Sequence, residues 1–205
     1  MILLAGPNGA GKSTLYEVAI APRIKAPFIN ADLIQRHELK DPSMSAAYEA
    51  AAMAQARRRQ ALEQRLSFVS ESTFSHPSKL ELIDQARRCG FRVVIYHVNV
   101  RRPELSVARV AARVEEGGHD VPERKILERY DRNQPLIREA VLEADHANVY
   151  DNSRLNRTPE RLLSFTRGRL VFAAAVLPAW ATGLYGIGPV EAGQPPANDA
   201  TTEGP

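Results

Sequence analysis

The sequence predicts an α/β fold with a mainly parallel sheet. Two observations carry this. Short apolar runs alternate with helical segments of about ten or more residues. The first apolar run also leads straight into a glycine-rich turn and then a helix.

Residues 1–5 read as a buried strand ending at Gly6, and a helix follows from about Lys12 to Ile20. Pro22 and Pro27 break the chain before a second short strand, Phe28-Ile29-Asn30. Residues 44–66 are Ala-rich and carry Arg57, Arg58, Arg59, Glu63 and Arg65, the pattern of one long amphipathic helix. Leu66 to Ser70 is a third strand. Ser78 to Cys89 is a helix stopped by Gly90. Phe91 to Val100 is the strongest strand. Pro103 opens a helix running to Gly117-Gly118, and Pro122 opens another to about Ala144. Asn148-Val149-Tyr150 is the last inner strand.

Residues 170–190 contain no Asp, Glu, Lys or Arg. The length could span a bilayer, but Pro178, Gly183, Gly186, Gly188 and Pro189 interrupt it. A terminal strand and a short buried helix are the expectation, with no membrane partner. Residues 1–190 form one expected domain, and residues 191–205, poor in apolar side chains, are expected to be a disordered acidic tail.

The 205 residues are 44% hydrophobic and 25% charged, ordinary for a globular chain. A single cysteine, Cys89, excludes a disulfide framework and fits a reducing compartment. The N-terminus shows no secretory signal, so the expected location is cytoplasmic. Net charge is +3. The tail holds three acids and no base, so residues 1–190 carry 27 basic against 21 acidic residues. This basicity suits anionic small molecules and is too mild to mark a nucleic-acid binder.

Ligands of parallel sheets gather at the carboxyl ends of the strands. The first such segment is Gly6-Pro7-Asn8-Gly9-Ala10-Gly11-Lys12-Ser13-Thr14, a P-loop pattern. Its glycines let backbone amides curl around phosphate, and the next helix points its positive end at the same anion. Lys12 can reach the β- and γ-phosphates, and the Ser13 hydroxyl can coordinate Mg²⁺. ATP and Mg²⁺ are therefore the expected cofactors. No Asn-Lys-x-Asp segment marks a GTPase, and the main apolar run ends at Val100 without the carboxylate of a motor ATPase.

Asp32 follows the second strand and could take a proton from an acceptor hydroxyl, or simply cap the next helix. Glu71 ends the third strand. It could hold Mg²⁺ or substrate hydroxyls, or be a plain surface carboxylate. Ser72, Thr73 and Lys79 suit a sugar or phosphate. From 101 to 132 there are seven arginines. Arg109 and Arg113, four apart, share a helix face, and Arg129 lies on the next helix. Two basic helices joined at Gly117-Gly118-His119-Asp120 describe a lid that closes over phosphate, with Arg113 the first choice for γ-phosphate and Arg109 and Arg129 next. A solvated basic helix pair is the plainer alternative. His119 has no second ligand spaced near it, so loop ordering suits it better than metal. Asp151 and Asn152 follow a strand where adenine is often contacted, or form a simple turn.

Together these segments resemble the zeta toxin family of P-loop kinases. The residues that carry it are Gly6–Thr14, Asn30-Ala31-Asp32 with Arg36, Ser70–Thr73, and Val107-Ala108-Arg109 through Gly117-Gly118-His119-Asp120-Val121-Pro122 to Arg129-Tyr130. The resemblance covers roughly residues 1–182. It implies a three-layer P-loop, adenylate-kinase-like fold with a helical lid. It implies an ATP-dependent kinase phosphorylating the 3′-hydroxyl of UDP-N-acetylglucosamine, with Asp32 as base and with Lys12 and the lid arginines on phosphates. By the same resemblance Arg36 belongs to the substrate side, and an antitoxin is a possible partner. The chain is shorter than the well-known toxins, with tighter lid arginine spacing. Other readings stay open: a kinase of another metabolite, a kinase of nucleic-acid ends, or an ATP-ordered interaction module.

Overall fold

A computed structural model describes residues 1–115 and 121–187. The tail at 191–205 and the expected hinge with Gly117, Gly118 and His119 lie outside the described residues.

Seven strands form one sheet in the order β2-β3-β1-β4-β5-β6-β7. They are β1 (Ile2–Ala5), β2 (Phe28–Ile29), β3 (Val69–Ser72), β4 (Val94–Asn99), β5 (His146–Asp151), β6 (Glu160–Thr166) and β7 (Arg169–Ala173). The first five pair in parallel. β6 and β7 are antiparallel additions at one edge.

The helices are α1 (Lys12–Leu15), continued by a π turn at Tyr16–Ile20, and α2 (Ala31–Ile34), continued by another at Gln35–Leu39. They are followed by α3 (Met44–Glu63), α4 (Ser78–Arg88), α5 (Pro103–Glu115), α6 (Glu123–Arg132), α7 (Gln134–Glu143) and α8 (Ala179–Tyr185). The expected terminal strand and short helix are β7 and α8. No helix among the described residues is long and apolar enough to cross a membrane.

Two expectations change. The helix expected from Pro122 to Ala144 is two helices, meeting at Asn133. Pro135 explains the break: it lacks an N–H and clashes with the preceding turn, so it is tolerated only in the first turn of a new helix. Asn133 is 1% exposed, and its Nδ2 donates to the Thr73 carbonyl at 2.6 Å, fixing the corner against the end of β3. The second change is β6, which was not expected. It reads Glu-Arg-Leu-Leu-Ser-Phe-Thr and buries Leu162, Leu163 and Phe165.

Side chains alternate across the sheet. Leu3, Ala5, Ile95, Ala147 and Val149 join one core with α3, α4, α7 and α8, whereas Leu4, Val69 and Val98 pack on the other side with Leu15 and Ile20. The α5–α6 pair has a small core of its own, Val110, Val121 and Ile126, flanked by Val107 and Val114. That core turns the apolar face of α5 inward and leaves Arg109 and Arg113 on another face.

Candidate active site

The phosphate loop joins β1 to α1. Gly6, Gly9 and Gly11 all have positive φ, at 152°, 71° and 89°. Each also lacks room for a side chain. A Cβ at Gly6 would stand 2.0 Å from the Val98 carbonyl oxygen, and one at Gly9 2.5 Å from that of Ser106. The loop is thus wedged between β4 and the start of α5, and glycine is required sterically as well as conformationally.

Lys12 is 4% exposed. Its Nζ donates to the Gly6 and Pro7 carbonyls at 2.9 Å each and lies 3.4 Å from Glu71 Oε1. The same carboxylate accepts from Ser13 Oγ and from Asn30 Nδ2, both at 2.9 Å. Glu71 therefore ties the P-loop lysine, the P-loop serine and the end of β2 together. Asn30 has a second role: its Oδ1 accepts from the backbone amides of Asp32 and Leu33, capping α2. Among the described residues, no cluster of three His, Cys, Asp or Glu forms a metal cage. The Ser13 hydroxyl and Glu71 carboxylate are hard oxygen donors of the kind that hold Mg²⁺ alongside substrate phosphates and water, so the residues present fit that ion.

Asp32 sits in the first turn of α2 with its side chain 52% exposed, and its Oδ2 is 3.8 Å from Arg113 Nη1. Such an exposed pair contributes under about 1 kcal/mol. Its significance is positional: it joins the carboxylate to the lid.

A cavity of about 820 Å³ opens between these parts. Of the expected site residues, Asn8, Gly9, Gly11, Lys12, Ser13, Thr14, Asp32, Glu71, Ser72, Thr73, Lys79, Arg109, Arg113 and Arg129 line it. Gly6, Pro7 and Ala10 shape the loop without lining it. Asn8 Oδ1 and Arg109 Nη1 are buried without a hydrogen-bond partner among the described residues. Burial pushes the Arg109 guanidinium below its ordinary pKa, with Asp151 opposing. Both atoms are ready for a polar ligand.

Three expected residues fall elsewhere. Arg36 is exposed on the π turn after α2 and does not line the cavity. Asp151 is buried, accepts from Trp180 Nε1 at 2.9 Å and lies 3.6 Å from Arg101 Nε. Asn152 Nδ2 donates to the Ala10 carbonyl at 2.9 Å, bracing the P-loop from outside the cavity.

The structure also brings in residues outside the expected site. Arg58 and Tyr48 reach the cavity from α3, and Lys125 from α6. Arg58 was legible in principle. The inward stripe of α3 runs Ala46, Ala50, Ala54, Arg58, Leu62, with one charge at a core position.

A P-loop, a carboxylate across the cavity and a two-helix basic flap define the class: a P-loop kinase fold. The family model described as zeta toxin matches residues 1–158, and the chain belongs to the zeta toxin family. An uncharacterised protein of Haemophilus influenzae is 32% identical over 130 residues, 63% of this chain and 91% of that protein. Among solved structures, the AvrRxo1-ORF1:AvrRxo1-ORF2 complex with sulphate ions contains a chain that superposes with a TM-score of 0.66 at 15% identity, covering 89% of this chain. This chain spans 62% of that one. The PezAT chromosomal toxin–antitoxin system of Streptococcus pneumoniae gives a TM-score of 0.57 at 18% identity, covering 77% of this chain and 69% of that one.

Proposed function

We propose that this protein is an ATP-dependent kinase that transfers the γ-phosphate to a hydroxyl of a small anionic metabolite, with a nucleotide sugar such as UDP-N-acetylglucosamine as the leading acceptor. The observation that carries the reading is the shared cavity: Asp32 faces it beside Arg113 while Lys12, Ser13 and Glu71 line the same space.

The loop amides and the N-terminus of α1 hold the phosphates. Lys12 exchanges its carbonyl partners for phosphate oxygens. Arg113, Arg109 and Arg129 bear on the charge of the moving phosphoryl group, and closure of α5 and α6 excludes water that would hydrolyse ATP. Asp32 accepts the acceptor's hydroxyl proton as its oxygen attacks phosphorus and ADP leaves. Ser13 and Glu71 would hold Mg²⁺, which would offset phosphate charge. Ser72, Thr73 and Lys79 contact the acceptor.

Family membership supports the kinase reading, and an AvrRxo1-ORF1:-ORF2 structure with ATP, similar in fold at a TM-score of 0.65 and 14% identity, supports the nucleotide. The toxin–antitoxin system among the structural neighbours supports an antitoxin-like partner. The cytoplasm, where ATP and nucleotide sugars reside, is the proposed location. The test is incubation with ATP, Mg²⁺ and UDP-N-acetylglucosamine, followed by mass spectrometry for one added phosphate. An unchanged acceptor mass rejects this acceptor. Absence of ATP-dependent transfer across a panel of hydroxylated metabolites rejects the kinase.

A further inference from the structure

Arg58 occupies a place that the kinase chemistry above does not require. It sits on the inward stripe of α3, between Ala54 and Leu62, and is 9% exposed. Buried arginines are normally paired with carboxylates, because desolvating the charge is costly. Here no carboxylate lies within ion-pair distance among the described residues. One guanidinium nitrogen, Nη1, donates to Ser70 Oγ at 3.3 Å, and Ser70 is itself fixed by donating to the Ile29 carbonyl at 3.0 Å. A guanidinium has five N–H donors, so most of this fork is unspent, and Arg58 lines the cavity.

Lys79 lines the same cavity from α4 and is half-buried. It too has no carboxylate partner among the described residues. Burial, then the neighbouring Arg58 charge, pushes its ammonium below the ordinary lysine pKa. Two like charges have been brought together in a partly dry space, which is unfavourable without an anion between them. The charge balance of the cavity agrees. Glu71 is engaged by Lys12 and Asp32 by Arg113. Arg109, Lys125 and Arg129 belong to the flap that covers the P-loop. Arg58 and Lys79 belong instead to the helices flanking β3.

We propose that Arg58 and Lys79 form a second oxyanion subsite, separate from the P-loop, that binds a phosphate or carboxylate group of the acceptor. This rests on the kinase reading and sharpens it: the acceptor is a hydroxyl compound bearing its own oxyanion, which the pair clamps so that its hydroxyl reaches Asp32. Neutral polyols leave the buried Arg58 and the half-buried Lys79 uncompensated and are poor acceptors.

The test loads the P-loop with the non-hydrolysable nucleotide AMP-PNP and Mg²⁺. Inorganic phosphate and, separately, acetate are then titrated at constant ionic strength, with binding followed by calorimetry. Wild type is compared with Lys79→Gln, Arg58→Gln and Lys12→Ala. The expected result is saturable oxyanion binding to the loaded wild type, weakened about tenfold or more by Lys79→Gln, the size of one lost charge-assisted hydrogen bond. AMP-PNP affinity should not move in that variant. Binding by phosphate alone indicates a phosphorylated acceptor, and binding by acetate alone a carboxylate. Lys79 is half-buried, so its variant decides the matter even where Arg58→Gln does not fold. No oxyanion binding to the loaded protein, or equal binding by wild type and Lys79→Gln, overturns the proposal. Failure of AMP-PNP to bind would instead overturn the kinase reading. The subsite is then decided by titrating phosphate into the unloaded proteins: binding that survives Lys12→Ala but falls in Lys79→Gln supports it, and the reverse overturns it.

Discussion

Asp32 and Arg113 meet across the cavity, carboxylate to guanidinium at 3.8 Å, so the first turn after β2 and the flap helix α5 are already in register. The contact joins the proposed proton acceptor to the proposed phosphoryl-charge stabiliser. Replacing Asp32 with Asn keeps the shape and removes the basicity. Turnover should fall on the order of 10² to 10⁴, the usual contribution of a positioned base, while AMP-PNP binds as before. Steady-state rates and nucleotide affinity measured side by side check this. Near wild-type turnover in Asp32→Asn removes Asp32 from the chemistry.

Glu71 carries a different expectation, because three groups converge on it: Lys12, Ser13 and Asn30. Glu71→Gln keeps the hydrogen-bonding shape but loses the charge. A role at Mg²⁺ predicts that the variant needs more Mg²⁺ for half-maximal turnover at saturating ATP. A titration of rate against Mg²⁺ decides it, and an unchanged midpoint would place Glu71 in structure only.

Gly11 is the P-loop position where conformation and crowding coincide. Its φ is 89°, and a Cβ there would stand 2.1 Å from Asn152 Nδ2. Asn152 cannot yield without releasing its bond to the Ala10 carbonyl. Gly11→Ala should weaken nucleotide binding about 5- to 150-fold through a displaced loop, matching a cost of about 1–3 kcal/mol for a non-glycine residue in such a conformation. Fluorescence titration with a labelled ATP analogue measures it. Asn152→Ala, which removes the brace but not the glycine, should weaken binding less.

The parts of this site that could be read from the chain are those whose signal is local. Ile2 to Thr14 announces a strand, a turn and a helix in one short segment, and the structure has all three. Asp32 and Glu71 followed from strand ends. What could not be read depends on distant chain. β6 looks like a charged stretch, since Glu160 and Arg161 open it, and only its pairing with β5 makes it a strand. The break at Asn133 is masked in the sequence because the apolar pattern continues through Pro135. Arg58 stands in the sequence as one of three consecutive arginines at 57–59. Helical phase separates them: Arg57 pairs with Glu38 outside, while Arg58 turns inward with Ala54 and Leu62.

The core beneath the P-loop supplies the last prediction. His97 on β4 is fully buried. Its Nδ1 shares a 2.7 Å hydrogen bond with the Tyr185 hydroxyl, its Nε2 has no partner among the described residues, and Trp180 packs edge-on at 5.6 Å. Burial first, and then the Lys12 charge, push its pKa down to about 3 from 6.5. The folded state therefore keeps this imidazole neutral where the unfolded chain protonates it. Below pH 6.5 the unfolded state binds the extra proton, so stability falls as pH falls, and the fall continues until pH nears 3. Within that window the slope approaches about 1.4 kcal/mol per pH unit. Urea unfolding at pH 7.5, 6 and 5 measures it. His97→Gln removes the titrating group and should flatten the pH dependence by about one proton's worth, whatever it costs at pH 7.5. A variant whose stability declines as steeply as wild type between pH 6 and 5 would place the titration on another group.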